Sequence, residues 1–554
     1  MDNWQQLQAV VKPSLKGFLH ALKNPIEVQQ RQLQGILNAN QESVFGKAYG
    51  FRAIRCYEDY CDRVPIQTYD NLAPYIQRIA AGETGVLSSE PVVAFEVTGG
   101  STQGGKLIPY TASGLQAFQR AIFPWLGDLL SQHPEIKAGR TYWAISPVRP
   151  LTKTKGGIPI GMVSDAAYFG EELGASIAQL LAVPGEFAGI ADIEEWRYLT
   201  ALFLLAAADL SLISVWSPTF LLELVREIWE NRDRLIADIA SGKVTPHATL
   251  APNPERAAAI ASAFSEARLR KGREINHRGA ENAEEEGERE ERLCGDGYDQ
   301  EVDTAAIWTQ LAVISCWTDA AAKAFVDQLQ ALFPQVAIQG KGLLATEGVV
   351  TLPLVGCDFP VLAIESGFFE FLDAQEQPWL CHQLVEGETY RVVMTTHSGL
   401  YRYDLGDRVR VRGWKEQTPL LEFVGRAGVV SDLCGEKLTE EFVLTQLGKQ
   451  RGFAMLAPSL RGKPHYVLFL DASEYNDADA TTLACQLDRA LATNPQYQYA
   501  RQLGQLSELV ACRVKNPLSI YLNSGLERGQ RLGDIKPPVL SKETDWEFRF
   551  AACE

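Results

Sequence analysis

Between residues 92 and 111 an apolar β-type run, Val92-Val93-Ala94-Phe95-Glu96-Val97, enters Thr98-Gly99-Gly100-Ser101-Thr102-Gln103-Gly104-Gly105-Lys106 and leaves through Leu107-Ile108-Pro109-Tyr110-Thr111. Glycine lets the chain turn tightly and approach a ligand closely, so backbone N–H groups in such a loop can converge on an anion. Ser101 and Thr102 add hydroxyls and Lys106 a positive charge. The stretch therefore predicts a strand–loop–strand clamp for a polyphosphate. A glycine-rich hairpin loop without a ligand is the alternative.

Gly100 to Lys106 also has P-loop spacing, which requires Ser or Thr after the lysine and a helix opening there. Leu107 stands at that position and Pro109 follows, which favours an extended exit. A P-loop triphosphatase is disfavoured.

A chain of 554 residues is too long for one core, so two or three domains are expected. A hydrophobic content of 46% with 22% charged residues suits a globular protein. The net charge of −17 argues against nucleic acid or an anionic membrane as partner, so an anionic substrate needs a local basic pocket. Ten cysteines without a CxxC pair and seven dispersed histidines give no zinc spacing. Reduced thiols in a cytoplasmic protein are expected, and the polar first residues show no secretory signal. Tyr198 to Trp216 is the one apolar stretch long enough to suggest a bilayer span. Asp209 interrupts it, and it reads better as a buried helix over Thr200–Ala208 followed by a buried strand over Leu210–Val215.

Residues 1 to about 90 read as mostly helical, with Pro25 opening one helix. Thr111 or Ser113 is placed to cap another that carries Leu115, Phe118, Ile122 and Leu126. Leu115, Phe118, Ile122 and the Trp143–Ser146 strand are core in the simpler view and acyl-pocket walls in the other. The Glu/Arg-rich insert 268–292 has too few apolar residues to pack and is expected to be solvated. Lys323–Leu332 reads as a helix, and Ser398-Gly399 as a hairpin turn. Beyond about Gly425 comes an α+β alternation: helix Glu436–Leu447, strand Tyr466–Leu470, helix Thr481–Leu491, strand Leu509–Val514.

Two further segments carry chemistry. Leu343-Leu344-Ala345-Thr346-Glu347-Gly348 sets a carboxylate in an apolar surround, and Mg²⁺ is held by one or two carboxylates together with phosphate oxygens. Tyr401-Arg402-Tyr403-Asp404-Leu405-Gly406-Asp407 places Asp407 where a carboxylate can reach the vicinal hydroxyls of a ribose. Either acid taken alone is also consistent with an ordinary turn residue.

In this order the three segments resemble the luciferase-like acyl-adenylate-forming superfamily, and within it the auxin-responsive acyl-acid amido synthetases. The family loop Ser-Ser-Gly-Thr-Thr-Gln-Gly stands here as Thr98 to Gly104, its aromatic-Ser-Ser-Glu-Gly motif as Leu343 to Gly348, and its Gly-Leu-Tyr-Arg-Tyr…Gly-Asp motif as Gly399 to Asp407. A Phe-x-x-Arg hinge ends at Arg426, and a C-terminal lysine stands in Ile535-Lys536-Pro537-Pro538. Leu343 departs from the family aromatic, and the insert 268–292 has no counterpart.

The resemblance implies a mixed α/β (α+β) architecture. A large N-terminal domain, 1–425, would bind ATP and acyl group, and a smaller mobile C-terminal domain would span 426–554. It implies an ATP-dependent ligase that adenylates a small carboxylic acid and passes the acyl group to the amine of an amino acid. Coenzyme A as acceptor, or a non-catalytic binding protein, are the alternatives. Thr98, Gly99, Gly100, Ser101, Thr102 and Gln103 would hold phosphates beside Ala345 and Thr346. Glu347 would place Mg²⁺, Asp407 and Arg426 the ribose, Lys437 a phosphate, and Lys536 would act in adenylation. A monomer is expected.

Overall fold

A computed structural model describes residues 3–97, 106–144, 152–161, 169–190, 192–265, 303–319, 322–426, 430–434, 436–502, 505–530 and 532–551. The loop 98–105, Ser146, the insert 268–292 and Gly435 lie outside the described residues. The chain forms two compact units. The first comprises 1–137, 145–181 and 339–427; the second comprises 138–144, 182–338 and 428–554. The expected division at 425/426 lies beside the 427/428 boundary, while 138–144 and 182–338 group with the C-terminal segment.

The first unit is built on a seven-stranded antiparallel sheet. Its order is Thr351–Leu352, Val361–Leu362, Thr418–Arg426, Tyr403–Lys415, Thr389–Thr395, Phe368–Leu372, Pro378–Leu380. Alternation along Tyr403–Lys415 buries Tyr403, Leu405, Val409 and Val411 on one face, as a sheet with a single packed side requires. Thr389–Thr395 returns into it through the turn at Ser398-Gly399, where Gly399 (φ +96°) adopts the left-handed backbone a side chain would resist. A four-stranded sheet carries Val92–Val97 antiparallel to Leu107–Thr111, so the chain leaves the glycine loop extended, as Pro109 indicates. Thr111 then caps helix Ala112–Gln132 by accepting from Gly114 N–H at 3.1 Å. Pro25 opens helix Pro25–Ala39. Gly127 lets helix Ala112–Gln132 meet helix Asn3–Ala21, since a Cβ there would lie 2.6 Å from the Val11 carbonyl oxygen.

The second unit contains parallel strands Arg140–Trp143, Leu210–Ser214 and Val313–Cys316. Helix Ile193–Ala206, capped by Asp192, leads into the wholly buried strand Leu210–Ser214. Between them Asp209 pairs with Arg140 (2.6 Å). Partial burial opposes its charge, and Arg140 outweighs that and holds its pKa below the ordinary value. An acid paired at a sheet edge explains why a long apolar stretch is not a bilayer span. Among the described residues no helix is long and apolar enough to cross a membrane. The C-terminal segment adds strands Ala454–Ser459, His465–Asp471 and Val510–Val514 with helices Glu440–Leu447, Asp477–Leu491 and Pro517–Glu527. Phe453, Met455, Phe469 and Trp546 join Leu212's neighbours Ile213 and Ile314 in one apolar core, so this segment and the parallel sheet stabilise each other.

Candidate active site

In the first unit the exit strand of the glycine loop meets the second motif, and the second motif meets the third. The glycine loop departs from Val97 and returns at Lys106, two positions bracketed by the Val97/Leu107 pair. Tyr69, the first residue of helix Tyr69–Ala80, accepts the Leu107 N–H at 2.9 Å. Its ring lies 5.3 Å from Lys106 Nζ. Three residues beyond Leu107 on the same strand, Tyr110 donates its hydroxyl to the Thr346 carbonyl at 2.6 Å, tying the exit strand to the second motif.

Leu344–Ala345 and Gly348–Val349 pair across the two-residue turn Thr346-Glu347. The turn presents Glu347, whose side chain is buried and accepts from the Tyr403 hydroxyl at 3.3 Å. Gly348 is packed tightly, because a Cβ there would stand 2.6 Å from Met394 Cε. Burial pushes the Glu347 carboxyl pKa up. The Glu347 N–H, Arg426, Lys106 and Tyr403 pull the other way without overcoming it. An isolated acid made costly to ionise, beside two cationic side chains, suits a polar ligand that brings its own charge.

Asp407 and Arg426 are direct cross-strand partners on Tyr403–Lys415 and Thr418–Arg426. Arg426 Nε lies 3.6 Å from Asp407 Oδ1, and its Nη2 donates to the Leu405 carbonyl at 3.2 Å. Asp407 is 8% exposed, whereas the Arg426 side chain is 43% exposed, so the acid is fixed and the guanidinium can be shared. Arg426 thus faces Asp407 across the strand pair and, with Lys106, acts on the buried Glu347 carboxyl, which the Tyr403 hydroxyl contacts. Leu343, where an aromatic residue was expected, donates its N–H to Thr351 Oγ1 at 2.8 Å.

The third motif is held from behind by Arg402 and Glu370, and the preceding turn carries His397. The imidazole shares a 2.9 Å hydrogen bond with Gln32 Oε1, and its carbonyl accepts from Thr111 Oγ1 at 3.3 Å. Burial foremost, then Arg120, against a weaker pull from Glu90, lowers the His397 pKa to about 4. An unfolded histidine takes up its proton near 6.5, while the folded one resists until about 4. The unfolded state therefore binds more protons in this window, and stability falls as pH drops through it. Urea unfolding at neutral pH and near pH 4.5 should show His397→Gln losing up to about 2 kcal/mol less than the parent on acidification; identical acid losses would remove His397 as a source.

The second unit holds the other two candidates. Lys437 is exposed, with a left-handed backbone (φ +46°), beside Glu436. Glu436 is buried and accepts the Leu433 and Cys434 N–H groups at 2.7 Å each. Lys536 Nζ lies over the Trp317 ring, 3.1 Å from its centroid. Of the possible pocket walls, Ile122 is buried, and Leu115, Phe118 and Trp143 are half-buried. The tyrosines at 69, 110 and 403 were not singled out in the sequence. Only Tyr403 had a signal, its place inside the third motif.

The fold is that of acyl-adenylate-forming ligases. A 2-hydroxyisobutyryl-CoA ligase in the postadenylation state superposes with a TM-score of 0.51 at 11% identity, covering 95% of this chain and 90% of that one. A GH3.15 acyl acid amido synthetase superposes with a TM-score of 0.78 at 18% identity over 97% and 95% of the two chains. The models of the GH3 family N-terminal domain and central domain match residues 14–276 and 360–426, and the chain belongs to the GH3 family of amido synthetases. A probable indole-3-acetic acid-amido synthetase of Oryza sativa subsp. japonica is 25% identical, covering 93% of this chain and 91% of the relative. A jasmonoyl-L-amino acid synthetase of Nicotiana attenuata is 24% identical over 77% and 73%.

Proposed function

We propose that this protein activates a small carboxylic acid with ATP, releasing pyrophosphate, and transfers the acyl group from the resulting acyl-adenylate to the amine of an amino acid. A free carboxylate is a poor electrophile, and the mixed anhydride with AMP supplies a good leaving group. The observation that carries this reading is that Arg426 links the two acids: it pairs with Asp407 and, together with Lys106 at the exit of the glycine-hydroxyl loop, acts on Glu347 beside Tyr403.

Attack on the α-phosphorus develops charge on phosphoryl oxygens, which fixed donors and cations stabilise. Thr98 to Gln103 would supply N–H and hydroxyl donors and Lys106 a cation. Asp407 would accept from the ribose hydroxyls, with Arg426 beside it. Lys437 is a second phosphate partner, and Lys536 would bridge the acyl carboxylate and the α-phosphate. Glu347 fits a Mg²⁺ role, since a single buried carboxylate is what this ion takes when phosphate oxygens complete its shell. When bound, Mg²⁺ would neutralise charge on the polyphosphate. The division into a large ATP- and acyl-binding part, 1–425, and a smaller mobile part, 426–554, a monomeric state and a cytoplasmic location belong to the same proposal.

ATP–pyrophosphate exchange with a panel of aromatic and aliphatic acids tests the first half-reaction. Mass analysis of products with the common amino acids and with coenzyme A tests the second. Thioester products alone would replace the amide reading with an acyl-CoA ligase, and no exchange with any acid would reject both. Asp407→Ala should weaken ATP binding by about 1.5–3 kcal/mol, the scale of a hydrogen bond to a charged group. Calorimetry giving an unchanged ATP affinity would remove the ribose role.

A further inference from the structure

In the second unit, Trp216 and Trp317 stand two residues and one residue beyond the adjacent parallel strands that end at Ser214 and Cys316. The Trp317 N–H donates to the Trp216 carbonyl at 2.8 Å, which fixes the two residues side by side. Their ring centroids are 5.7 Å apart with planes 42° apart, so Trp216 supports one edge of Trp317. Both are half-buried. This is the carboxyl end of a parallel sheet, where open α/β folds place their ligands.

Over that edge lies Lys536. Its flanks are immobilised: Ile535 is buried in the apolar core, the Val539 carbonyl accepts Leu456 N–H, and Ser541 N–H donates to the Leu456 carbonyl, both at 2.8 Å. The Val539 N–H donates to Glu440 Oε1 at 3.0 Å. The anchored main chain leaves the lysine stem, with its large rotamer freedom, as the part still to be ordered. An ammonium 3.1 Å from an indole centroid is in contact with the most negative part of the ring.

We propose that Trp317, braced by Trp216, is a positioning residue that holds the Lys536 ammonium in one place by a cation–π contact, so that adenylation begins from an ordered cation. The role rests on the reading that Lys536 serves adenylation. The indole needs no proton transfer and carries no charge of its own. It orders the lysine without itself neutralising it, while the Lys536 charge also acts on the buried Glu440 carboxyl.

Two measurements test this. In full-length protein reductively methylated with ¹³C-formaldehyde, the Lys536 resonance, identified by its absence in Lys536→Arg, should be shifted upfield by the ring current. The shift should vanish in Trp317→Leu and persist in Trp317→Phe. Unmethylated Trp317→Leu should lose about tenfold in kcat for pyrophosphate exchange with the KM for ATP within twofold, and Trp317→Phe should recover most of that loss. An unshifted Lys536 resonance overturns the docking. A shifted resonance with undiminished exchange in Trp317→Leu overturns the positioning role. No exchange by the parent with any acid rejects the functional reading itself and with it the positioning role, while the resonance still reads the docking.

Discussion

Lys536→Ala is expected to lower acid-dependent ATP–pyrophosphate exchange by about 10²–10³, the cost of removing one preorganised charge stabiliser from a transition state. The ATP dissociation constant should stay within about twofold, because the lysine acts on charge that develops during transfer and contributes little to ground-state binding. The fold should tolerate the change. Lys536 is exposed, and its segment is held by Ile535, Val539 and Leu540, all at 3% exposure or less. Lys536→Arg keeps the charge but changes its reach and shape, and should restore only part of the rate. Parent-like exchange in the alanine variant would remove Lys536 from adenylation. An ATP affinity lost in proportion to rate would make it a binding residue instead.

Breaking the Arg402–Glu370 pair is expected to cost about 3–5 kcal/mol, because the surviving partner is left as an uncompensated buried charge. The pair is almost solvent-free, at 5% and 1% side-chain exposure, with Nη2–Oε1 at 2.8 Å. Arg402 Nη1 also donates to the Val64 carbonyl at 2.8 Å, and Tyr57 gives its hydroxyl to Glu370 at 2.8 Å. Arg402 has a left-handed backbone (φ +44°), a strained position for a side-chain-bearing residue that its partners must hold. On either side, Gln67 N–H donates to the Arg402 carbonyl and Gln67's own carbonyl accepts Asp404 N–H, both at 2.8 Å. Tyr403, the hydroxyl that meets Glu347, sits between those two hydrogen bonds. Urea unfolding of Arg402→Ala and Glu370→Ala should therefore show a large loss, with weakened ATP binding in whatever remains folded. The double change Glu370→Leu with Arg402→Met should fall closer to the parent, since neither charge is then stranded. A single-variant loss below about 1 kcal/mol would show that the pair does not hold the motif.

Much of the local structure was readable from residue order. Pro109 after Leu107 indicated an extended exit from the glycine loop, and Leu107–Thr111 is a strand. Thr111 was placed as a cap and caps. Lys323–Leu332 forms a helix with those bounds, and the turn at Ser398-Gly399 lies where its glycine indicated. Sheet membership was less accessible. Short apolar runs do not state which strand they pair with, and nothing local tells that 138–144 and 182–338 group with 428–554. Phe453, Met455 and Ile535 share one buried core with Ile213 and Ile314, more than a hundred residues away in the chain.

The candidate site divides in the same way. Residue types alone offered Glu347 and Asp407 only as candidates, each equally consistent with an ordinary turn acid. Residue order also supplied the family resemblance that added Arg426 and Lys536. Only the folded chain showed that Asp407 faces Arg426 across a strand pair, that Tyr403 reaches Glu347, and that Tyr69 and Tyr110 brace the loop exit. It also set Lys536 on an indole more than 200 positions earlier. Strand character, turns and caps are decided by neighbours within a few residues, so they are written in the sequence. Partners across a sheet, the balance of burial against nearby charge at Glu347, and the face on which a lysine rests depend on distances that exist only after packing, so the tertiary structure alone decided them.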